Sequence, residues 1–343
     1  MEEPKKFRIL SIDGGGIRGV FPITILAEIE AKLKQEGAKN WQIYNHFDLI
    51  AGTSTGGIIA LGLSLGIPAQ EIKELYLSHA KTIFGNPKCF FGWLIKSKYD
   101  RQDLTMLLKS TFATHFNNEQ PRLKDCKTPV CIPIYDLLQG KFCVCKSPYH
   151  KDFIRDLHIP AYEVALATSA APTYFDPHNS EYVDLNGHTQ SFSNKVDGGV
   201  AANNPTLIAI IEAQEAFHQQ LANLKVLSIG TGTQIFSDGE KRKNWGIHYW
   251  LLKDLKQRVI DLYAQGQSQN VENMVNLMCY GICEEHKDNP TFIYRRINKL
   301  LDNSMAIKMD ETNSDKLKRL SELAHLEFTN QAADIMNIFF ENR

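Results

Sequence analysis

Short apolar runs alternate with longer segments of helical period along this chain. Apolar runs that end in glycine or polar residues predict buried strands, and apolar residues repeating every three or four positions predict helices. Strands are predicted at 7–12, 47–51, 130–137, 141–147, 226–230 and 292–297, and helices at 20–35, 57–65, from 68 onward, 101–112, 160–171 and 203–219. Strands alternating with helices indicate an α/β fold, with a mostly parallel central sheet covered by helices on both faces.

The last third of the chain has a different pattern. Beyond Gly239 it is mostly helical, apart from the strand at 292–297. The basic and polar stretch near 237–244 is a weak boundary, and no repeat or low-complexity linker separates two domains. We therefore expect one domain over 1–343, with a core at about 7–235 and a largely helical C-terminal part at about 240–343.

Composition narrows the class of protein. The 343 residues carry a formal net charge of −1, with 43% hydrophobic and 22% charged residues, so nothing favours a nucleic-acid polymer as partner. The start of the sequence lacks an apolar signal segment, and no run of roughly 18 apolar residues predicts a membrane-spanning helix. The cysteines number seven, an odd count, so reduced thiols in the cytoplasm are expected.

Two pairs of cysteines are close in sequence, but neither pair predicts a metal site. Cys143 and Cys145 fall on one face of a predicted strand, and Cys279 and Cys283 are one helical turn apart. Neither spacing is that of a zinc ribbon, and no further pair completes a set of four ligands. We therefore expect no bound metal.

A serine flanked by glycines occupies the first of three sharp turns. The turn is Gly52-Thr53-Ser54-Thr55-Gly56, between a predicted strand and a predicted helix, and it matches the G-x-S-x-G nucleophile elbow. Side chains at Gly52 and Gly56 would collide with neighbouring backbone, and the following helix directs its N–H groups at Ser54. The pattern predicts a nucleophilic serine, although a plain strand-to-helix turn has the same residue types.

Three successive glycines form the second turn, which has the sequence DGGGIRG over 13–19. The N–H groups around Gly15 and Gly16 could bind a tetrahedral oxyanion, and Arg18 would add positive charge or bind a substrate phosphate. The run also satisfies G-x-G-x-x-G, the dinucleotide fingerprint. Against that interpretation, Asp13 would repel a pyrophosphate, and no acidic strand end follows about twenty residues later.

The third turn places a lone acid, Asp197, before two glycines at the end of a predicted strand. This setting suits a buried carboxylate that accepts a proton from a hydroxyl, while a turn aspartate bonded to its own backbone is the simpler interpretation. None of the eleven histidines has a comparably marked setting. We interpret His178, His188 and His218 as exposed or packed side chains.

Three motifs in fixed order, DGGGIRG, GTSTG and DGGV, resemble those of the patatin-like phospholipases, as do the segments at 167–175 and 228–233. The resemblance covers about 7–233 and implies a patatin-like three-layer α/β/α fold. It also implies hydrolysis of phospholipid acyl esters through an acyl-serine, without calcium or another cofactor and without a catalytic histidine. The residues that it implies are the dyad Ser54 and Asp197 and the oxyanion site Gly14, Gly15, Gly16 and Arg18.

Within that family, FRILSIDGGGIRGVFPITILAEIE over 7–30 is similar to bacterial patatin-like effectors of CBASS-type anti-phage defence. The similarity implies a cyclic dinucleotide, made by a partner synthase, as activator. It also implies that the protein acts from the cytoplasm on the inner face of the cell's own membrane, with transient interfacial binding. A homo-oligomer is compatible with the sequence.

Two segments combine aromatic rings with basic side chains, at 82–98 and 241–257. Such a combination suits a lipid headgroup boundary or a lid over an acyl channel. Core-facing aromatics with solvated lysines behind them give the same pattern, and we favour that interpretation. The candidates for membrane contact or a lid are Phe91, Trp93, Trp245 and Trp250.

Two other functions stay open. A Ser-His-Asp esterase of the α/β-hydrolase type would also use an elbow serine, although here the elbow follows little more than one strand. A non-catalytic module that binds nucleotides would use the glycine turns for phosphate.

Overall fold

A mixed sheet forms the centre of the computed structural model, which describes residues 6–88, 97–234, 246, 258–282, 289–301 and 307–340. Its strands are β1 (Phe7–Ile12), β2 (Leu49–Gly52), β3 (Val130–Asp136), β4 (Lys141–Lys146), β5 (His178–Val183), β6 (Thr189–Asp197), β7 (Leu224–Ile229) and β9 (Ile293–Ile297). The strand order is β5-β6-β3-β2-β1-β7-β9, and β4 pairs with β3. Two short strands, β8 (Thr233–Gln234) and β10 (Leu300–Leu301), pair separately.

Helices connect and flank these strands. In the described ranges they are α1 (Val20–Gln35), α2 (Thr55–Ser64), α3 (Ala69–Phe84), α4 (Gln102–Thr114), α5 (Ala161–Thr168), α6 (Gly199–Ala202), α7 (Thr206–Glu215), α8 (Arg258–Tyr280) and α9 (Ser314–Phe339). Short 3-10 turns occupy Gly16–Gly19, Ile43–Asn45, Leu123–Asp125 and Leu221–Asn223. None of these helices combines the length and the apolar character needed to cross a bilayer.

The predicted α/β class and mostly parallel sheet are confirmed. Strands β3, β2, β1, β7 and β9 run parallel to their neighbours in that order. Strands β4 and β6 pair antiparallel with β3, and β5 pairs antiparallel with β6. All six residues of β1 are buried, because helices cover both faces of the sheet, and this is why the strand has an unbroken apolar run.

Alternating side chains of the central strands contribute to two separate cores. Leu10 and Ile12 belong to the larger cluster, which also contains the buried residues of α1 and α2. Phe7 and Ile9 belong to the second cluster, with Ile210 of α7 and neighbouring residues. Because successive strand residues point to opposite faces, the two clusters make the sheet the middle of three layers.

The C-terminal helix α9 completes the first core. Asn313 caps its N-terminus by accepting the N–H groups of Asp315 and Lys316. Buried Leu317 and Leu320 join the larger cluster, and the hydroxyls of Thr24 in α1 and Ser321 lie 3.0 Å apart. Residues of the C-terminal part of the chain thus pack directly on α1, the helix that follows the turn at 13–19.

The structure differs from the sequence prediction mainly at the β5–β6 hairpin. The sequence predicts only the end of β6, at Asp197, and predicts no strand at 178–183. Exposed and half-buried residues dominate β5, because the strand lies at the edge of the sheet, and a polar edge strand has no apolar run to reveal it. Elsewhere the boundaries shift by a few residues, as where β2 begins at Leu49 and α5 ends at Thr168.

The register of the parallel strands positions two of the three turns, whereas the turn at Asp197 ends the antiparallel strand β6, where Asp197 pairs with Ile134 of β3. Ile12 at the end of β1 pairs with Gly52 at the end of β2 and with Ile229 at the end of β7. The carboxyl ends of these strands are therefore level, and the segments that follow them leave the sheet side by side. This edge is where open α/β sheets bind ligands.

Candidate active site

The elbow around Ser54 has the strained geometry that the sequence predicts. Ser54 has φ 54° and ψ −122°, in the left-handed region that residues with a side chain rarely adopt. A Cβ atom on Gly52 would lie 2.1 Å from the Gly56 carbonyl oxygen, and one on Gly56 would lie 2.3 Å from the Ile12 carbonyl oxygen. Only glycine fits at both positions, and the tight bend places Ser54 at the N-terminus of α2.

The Ser54 hydroxyl meets the carboxylate of Asp197. Ser54 Oγ donates a hydrogen bond to Asp197 Oδ2 at 2.6 Å, and both residues are buried. Asp197 Oδ1 accepts the N–H of Gly199 at 2.7 Å, and the Asp197 N–H donates to the Ala170 carbonyl at 3.0 Å. The carboxylate is therefore oriented by its own turn, with one oxygen left to accept the serine proton.

Burial changes the acidity of this carboxylate. The pKa of Asp197 is raised from 3.8 to about 7 because burial penalises its charged form, although the Ser54 hydroxyl, the Gly199 N–H and Arg101 lower it in part. A carboxyl group that titrates near neutral pH can accept and return a proton in the same catalytic cycle.

The glycine turn presents N–H groups to the same space. Within the described residues, no hydrogen-bond acceptor is found for the N–H groups of Gly15 and Gly16, and both glycines line the cavity that contains Ser54. The N–H of Gly14 donates to the Asn203 carbonyl at 3.0 Å. Gly14 therefore does not offer a free donor, and its place in the expected oxyanion set is steric, since a Cβ there would lie 2.5 Å from Asn203 Oδ1.

Arg18 contacts the backbone of this turn. Its N–H and its Nε both donate to the Gly15 carbonyl, each at 3.3 Å. Burial lowers the pKa of Arg18, yet an arginine stays protonated at neutral pH. Arg18 was expected to supply charge to an oxyanion or a phosphate, and the structure shows it bonded to the carbonyl of the peptide whose N–H is that of Gly16.

Four further residues, which the sequence did not mark as functional, hold these turns together. Thr168 Oγ1 accepts the Ser54 N–H at 3.0 Å and donates to the Pro133 carbonyl at 2.7 Å. Asn203 and Thr231 donate to the Gly14 carbonyl. Arg296 binds Asp13. Only Thr168 and Thr231 could have been noticed in the sequence, because they lie in the segments at 167–175 and 228–233 that resemble those of the patatin-like phospholipases.

A largely apolar cavity of about 410 Å³ opens beside Ser54. Its polar edge contains Ser54, Asp197 and the two glycines with free N–H groups. Its walls come from α3, α4, α8 and the segment after α5, and include Leu75, Ile83, Phe84, Leu104, Leu108, Tyr174 and Ile260. The arrangement suits a ligand with one ester group and a long hydrocarbon tail.

Similar proteins identify the family of this chain. The family model of patatin-like phospholipases matches residues 10–210 of the chain, a span that contains all three turns. The chain belongs to the patatin-like phospholipase family. As a member of that family it is a lipid ester hydrolase.

Individual relatives of this patatin-like chain extend the similarity well beyond the matched span. It is 32% identical over 341 residues to the cGAMP-activated phospholipase of Vibrio cholerae, covering 95% of this chain and 92% of that protein. It is 31% identical to the cGAMP-activated phospholipase of Escherichia coli over 97% and 93% of the two chains. Patatin-like protein 2 of Arabidopsis thaliana is 34% identical over 77% of this chain and 70% of its own.

None of the histidines that the structure describes in this patatin-like phospholipase lines the cavity. His248 and His286 lie outside the described residues. His178 Nε2 lies 2.5 Å from Glu163 Oε2 in a buried pair, and His188 lies 3.7 Å from Asp184. The arrangement at Ser54 is thus a serine and a carboxylate in direct contact.

The candidates for membrane contact or a lid, Phe91, Trp93, Trp245 and Trp250, lie outside the described residues. As for metals, no cluster of three or more His, Cys, Asp or Glu suited to an ion occurs among the residues that the structure describes. Cys143, Cys145 and Cys279 are free thiols.

Proposed function

We propose that this patatin-like phospholipase cleaves acyl esters of membrane phospholipids with Ser54 as nucleophile and Asp197 as general base. The contact of 2.6 Å between Ser54 Oγ and Asp197 Oδ2 is the observation that carries the proposal. It joins two turns separated by 143 residues at the polar edge of an apolar cavity, and the pKa of Asp197 suits a base at neutral pH.

The proposed reaction has two halves. Asp197 accepts the Ser54 proton while Oγ attacks the ester carbonyl carbon, and the N–H groups of Gly15 and Gly16 stabilise the oxyanion. The tetrahedral intermediate collapses, the leaving alkoxide takes the proton from Asp197, and the acyl group stays on Ser54. Water then attacks the acyl-serine while Asp197 accepts a proton from it. When the bond to Ser54 Oγ breaks, Oγ takes that proton back from Asp197, and a free fatty acid leaves.

The two alternative functions fit this geometry less well. A Ser-His-Asp mechanism needs a histidine between the serine and the acid, whereas Ser54 contacts Asp197 directly. A module that binds nucleotides must accommodate a charged phosphate at its glycine turns, and burying a charge among apolar side chains is costly. Here the glycine turn borders an apolar cavity, and Arg18 and Arg296 are engaged with the backbone and with Asp13.

The proposal is tested with vesicles of phosphatidylglycerol and with a fluorophosphonate probe. We expect Ser54→Ala to abolish labelling, and Ser54→Ala and Asp197→Asn to lower hydrolysis by several orders of magnitude. Ser110→Ala removes an exposed hydroxyl on α4 and is the matched control. Near-normal hydrolysis by a folded Ser54→Ala variant would rule the dyad out.

We further propose that a cyclic dinucleotide activates the enzyme in anti-phage defence, at the cytoplasmic face of the membrane. The support is the similarity to two relatives named cGAMP-activated phospholipases over more than nine tenths of each chain. Vesicle hydrolysis is compared with and without cyclic GMP–AMP, cyclic di-GMP and cyclic di-AMP. Equal rates in all arms would exclude activation, whereas one active nucleotide would identify the class of signal.

The defence role has its own test. Bacteria that carry this chain together with a cyclic dinucleotide synthase are challenged with phage and compared with bacteria that carry the Ser54→Ala variant. Fewer plaques in bacteria with the wild-type chain than in bacteria with the Ser54→Ala variant would support the role. If the plaque counts are equal although the nucleotide activates the enzyme in vitro, the defence role is wrong and only the proposal of activation stands.

A further inference from the structure

Two free N–H groups are useful to an oxyanion only if their peptide planes are fixed. In a planar trans peptide, the carbonyl of one residue and the N–H of the next point in opposite directions. Donors that bind the carbonyls of Gly14 and Gly15 therefore set the directions of the N–H groups of Gly15 and Gly16. Both carbonyls have such donors.

The Gly15 carbonyl is bound locally, by the N–H and Nε of Arg18. The Gly14 carbonyl is bound from distant parts of the chain. Thr231 Oγ1 donates to it at 3.0 Å, and Asn203 Nδ2 lies farther away at 3.4 Å. Thr231 is thus the shorter of the two contacts on the peptide that carries the Gly15 N–H.

The sheet explains why Thr231 reaches this carbonyl. Ile12 and Ile229 are paired at the ends of β1 and β7, and Gly14 and Thr231 each follow two residues later. Thr231 is buried, and a Cβ on Gly15 would lie 2.3 Å from its Oγ1. The hydroxyl is therefore packed tightly against the glycine turn and has little freedom to turn away.

We propose that Thr231 is a positioning residue for the oxyanion site, which aims the Gly15 N–H by binding the carbonyl on the far side of the same peptide. The proposal rests on the proposed function of Ser54. Thr231 does not contact the reacting atoms. Its loss lets the Gly14–Gly15 peptide rotate, and the transition state loses part of one hydrogen bond.

The test uses Thr231→Val, which keeps the shape of the side chain and removes the hydroxyl, and Thr231→Ser, which keeps the hydroxyl. Thr233→Val is the matched control, because the Thr233 hydroxyl accepts from Asn298 and does not bond the glycine turn. The substrate is p-nitrophenyl butyrate, which is water-soluble and makes vesicle binding irrelevant. Thermal unfolding is recorded for each variant.

Loss of a whole oxyanion donor costs about 10²–10³-fold in kcat, so a misaimed donor is expected to cost about 10- to 100-fold. For Thr231→Val we expect that loss in kcat with KM within about twofold, since the interaction forms only in the transition state. Fluorophosphonate labelling slows in parallel. Thr231→Ser and Thr233→Val stay within about threefold of wild type.

The proposal fails if folded Thr231→Val retains wild-type kcat while Ser54→Ala is inactive. It also fails if Thr231→Ser is as slow as Thr231→Val at equal stability, or if the loss appears in KM. If Thr231→Val does not fold, Thr231→Ala replaces it, and its kcat and KM are compared with those of Thr231→Ser by the same criteria. An active Ser54→Ala variant would instead overturn the proposed function, so the two failures are distinguishable.

Discussion

Arg296 Nη2 lies 2.6 Å from Oδ2 of Asp13, and the two residues are 283 positions apart in the sequence. Arg296 Nη1 binds Asp13 Oδ1 at 2.9 Å, so the contact is bidentate, and both side chains are buried. Burial alone would lower the pKa of Arg296, but the Asp13 carboxylate outweighs this effect and raises it. Strand β9 is thereby bound to the residue that precedes the three glycines.

Removing one partner of this pair is expected to destabilise the fold. Arg296→Met leaves the Asp13 carboxylate buried without its counter-ion, which costs about 3–5 kcal/mol. The double variant Asp13→Asn with Arg296→Met removes both charges, and its loss is expected to be smaller than the sum of the single losses. The free energy of unfolding from urea denaturation checks this. Additive losses would show that the two charges do not interact.

A second prediction concerns Gly56 of the elbow. A methyl group at Gly56 would lie 2.3 Å from the Ile12 carbonyl oxygen, so Gly56→Ala must displace either α2 or β1. We expect a loss of stability of about 1–3 kcal/mol and a loss of activity that exceeds it, because Ser54 moves relative to Asp197.

Gly266→Ala is the matched control for that change. Gly266 lies inside α8, and a Cβ there meets no atom within 4 Å, so alanine is expected to leave stability unchanged or raise it by up to about 1 kcal/mol. Unfolding and p-nitrophenyl butyrate hydrolysis are measured for both variants. Full activity in Gly56→Ala would contradict the steric account of the elbow.

The raised pKa of Asp197 predicts how activity depends on pH. The base must be ionised to accept the Ser54 proton, and the pKa of Asp197 is about 7. We expect kcat/KM for a soluble ester to rise with pH and to reach half its plateau near pH 7, since kcat/KM reports the free enzyme.

The control for the pH profile is Asp152→Asn, which changes a side chain that is 73% exposed. Its profile should coincide with that of wild type, whereas Asp197→Asn should show low residual activity without the rise near pH 7. A wild-type profile that stays flat from pH 5 to 9 would remove Asp197 as the base.

The apolar cavity predicts selection by acyl-chain length. Leu108 is fully buried in α4 and lines the cavity, so Leu108→Phe shortens the space for a tail. We expect kcat/KM for a palmitoyl ester to fall at least about tenfold more than for a butyryl ester. Met106, 61% exposed on the same helix, supplies the control Met106→Phe. Equal losses of kcat/KM for both esters would show that the acyl tail does not bind beside Leu108.

Glu30 gives a prediction about stability and pH. Its carboxylate is buried and accepts the N–H groups of Ile43 and Ala69. Burial raises the pKa of Glu30 from 4.5 to about 7, and those two N–H groups offset the rise only in part. The folded state therefore binds the proton more tightly than the unfolded state, and stability falls as pH rises from 4.5 to 7.

By that linkage the free energy of unfolding loses up to about 3 kcal/mol across this range relative to Glu30→Gln. The measurement is urea denaturation at several pH values. Glu36→Gln, at an exposed position, should keep the wild-type slope. A pH-independent difference between wild type and Glu30→Gln would contradict the assignment.

Local chemistry was enough to predict much of this protein from its sequence. The G-x-S-x-G turn predicted Ser54 as the nucleophile from its residue types alone. The collision that demands Gly52 is local, with Gly56, whereas the collision that demands Gly56 is with Ile12 of the neighbouring strand β1. The apolar run of β1 and the helical period of α1 predicted their elements, since burial on both sides leaves a direct record in residue type. The lone acid before two glycines made Asp197 a candidate, but only the resemblance to the patatin-like phospholipases implied that it pairs with Ser54.

Only the tertiary structure showed which distant residues meet. The pairing of Ile12 with Ile229 brings Thr231 to the Gly14 carbonyl, and β9 brings Arg296 to Asp13. A threonine in a loop and an arginine in a strand carry no mark of these partners, because strand order is set by packing across the whole chain. For the same reason the acceptor of the Gly14 N–H, and hence which glycines keep a free donor, could be known only from the fold.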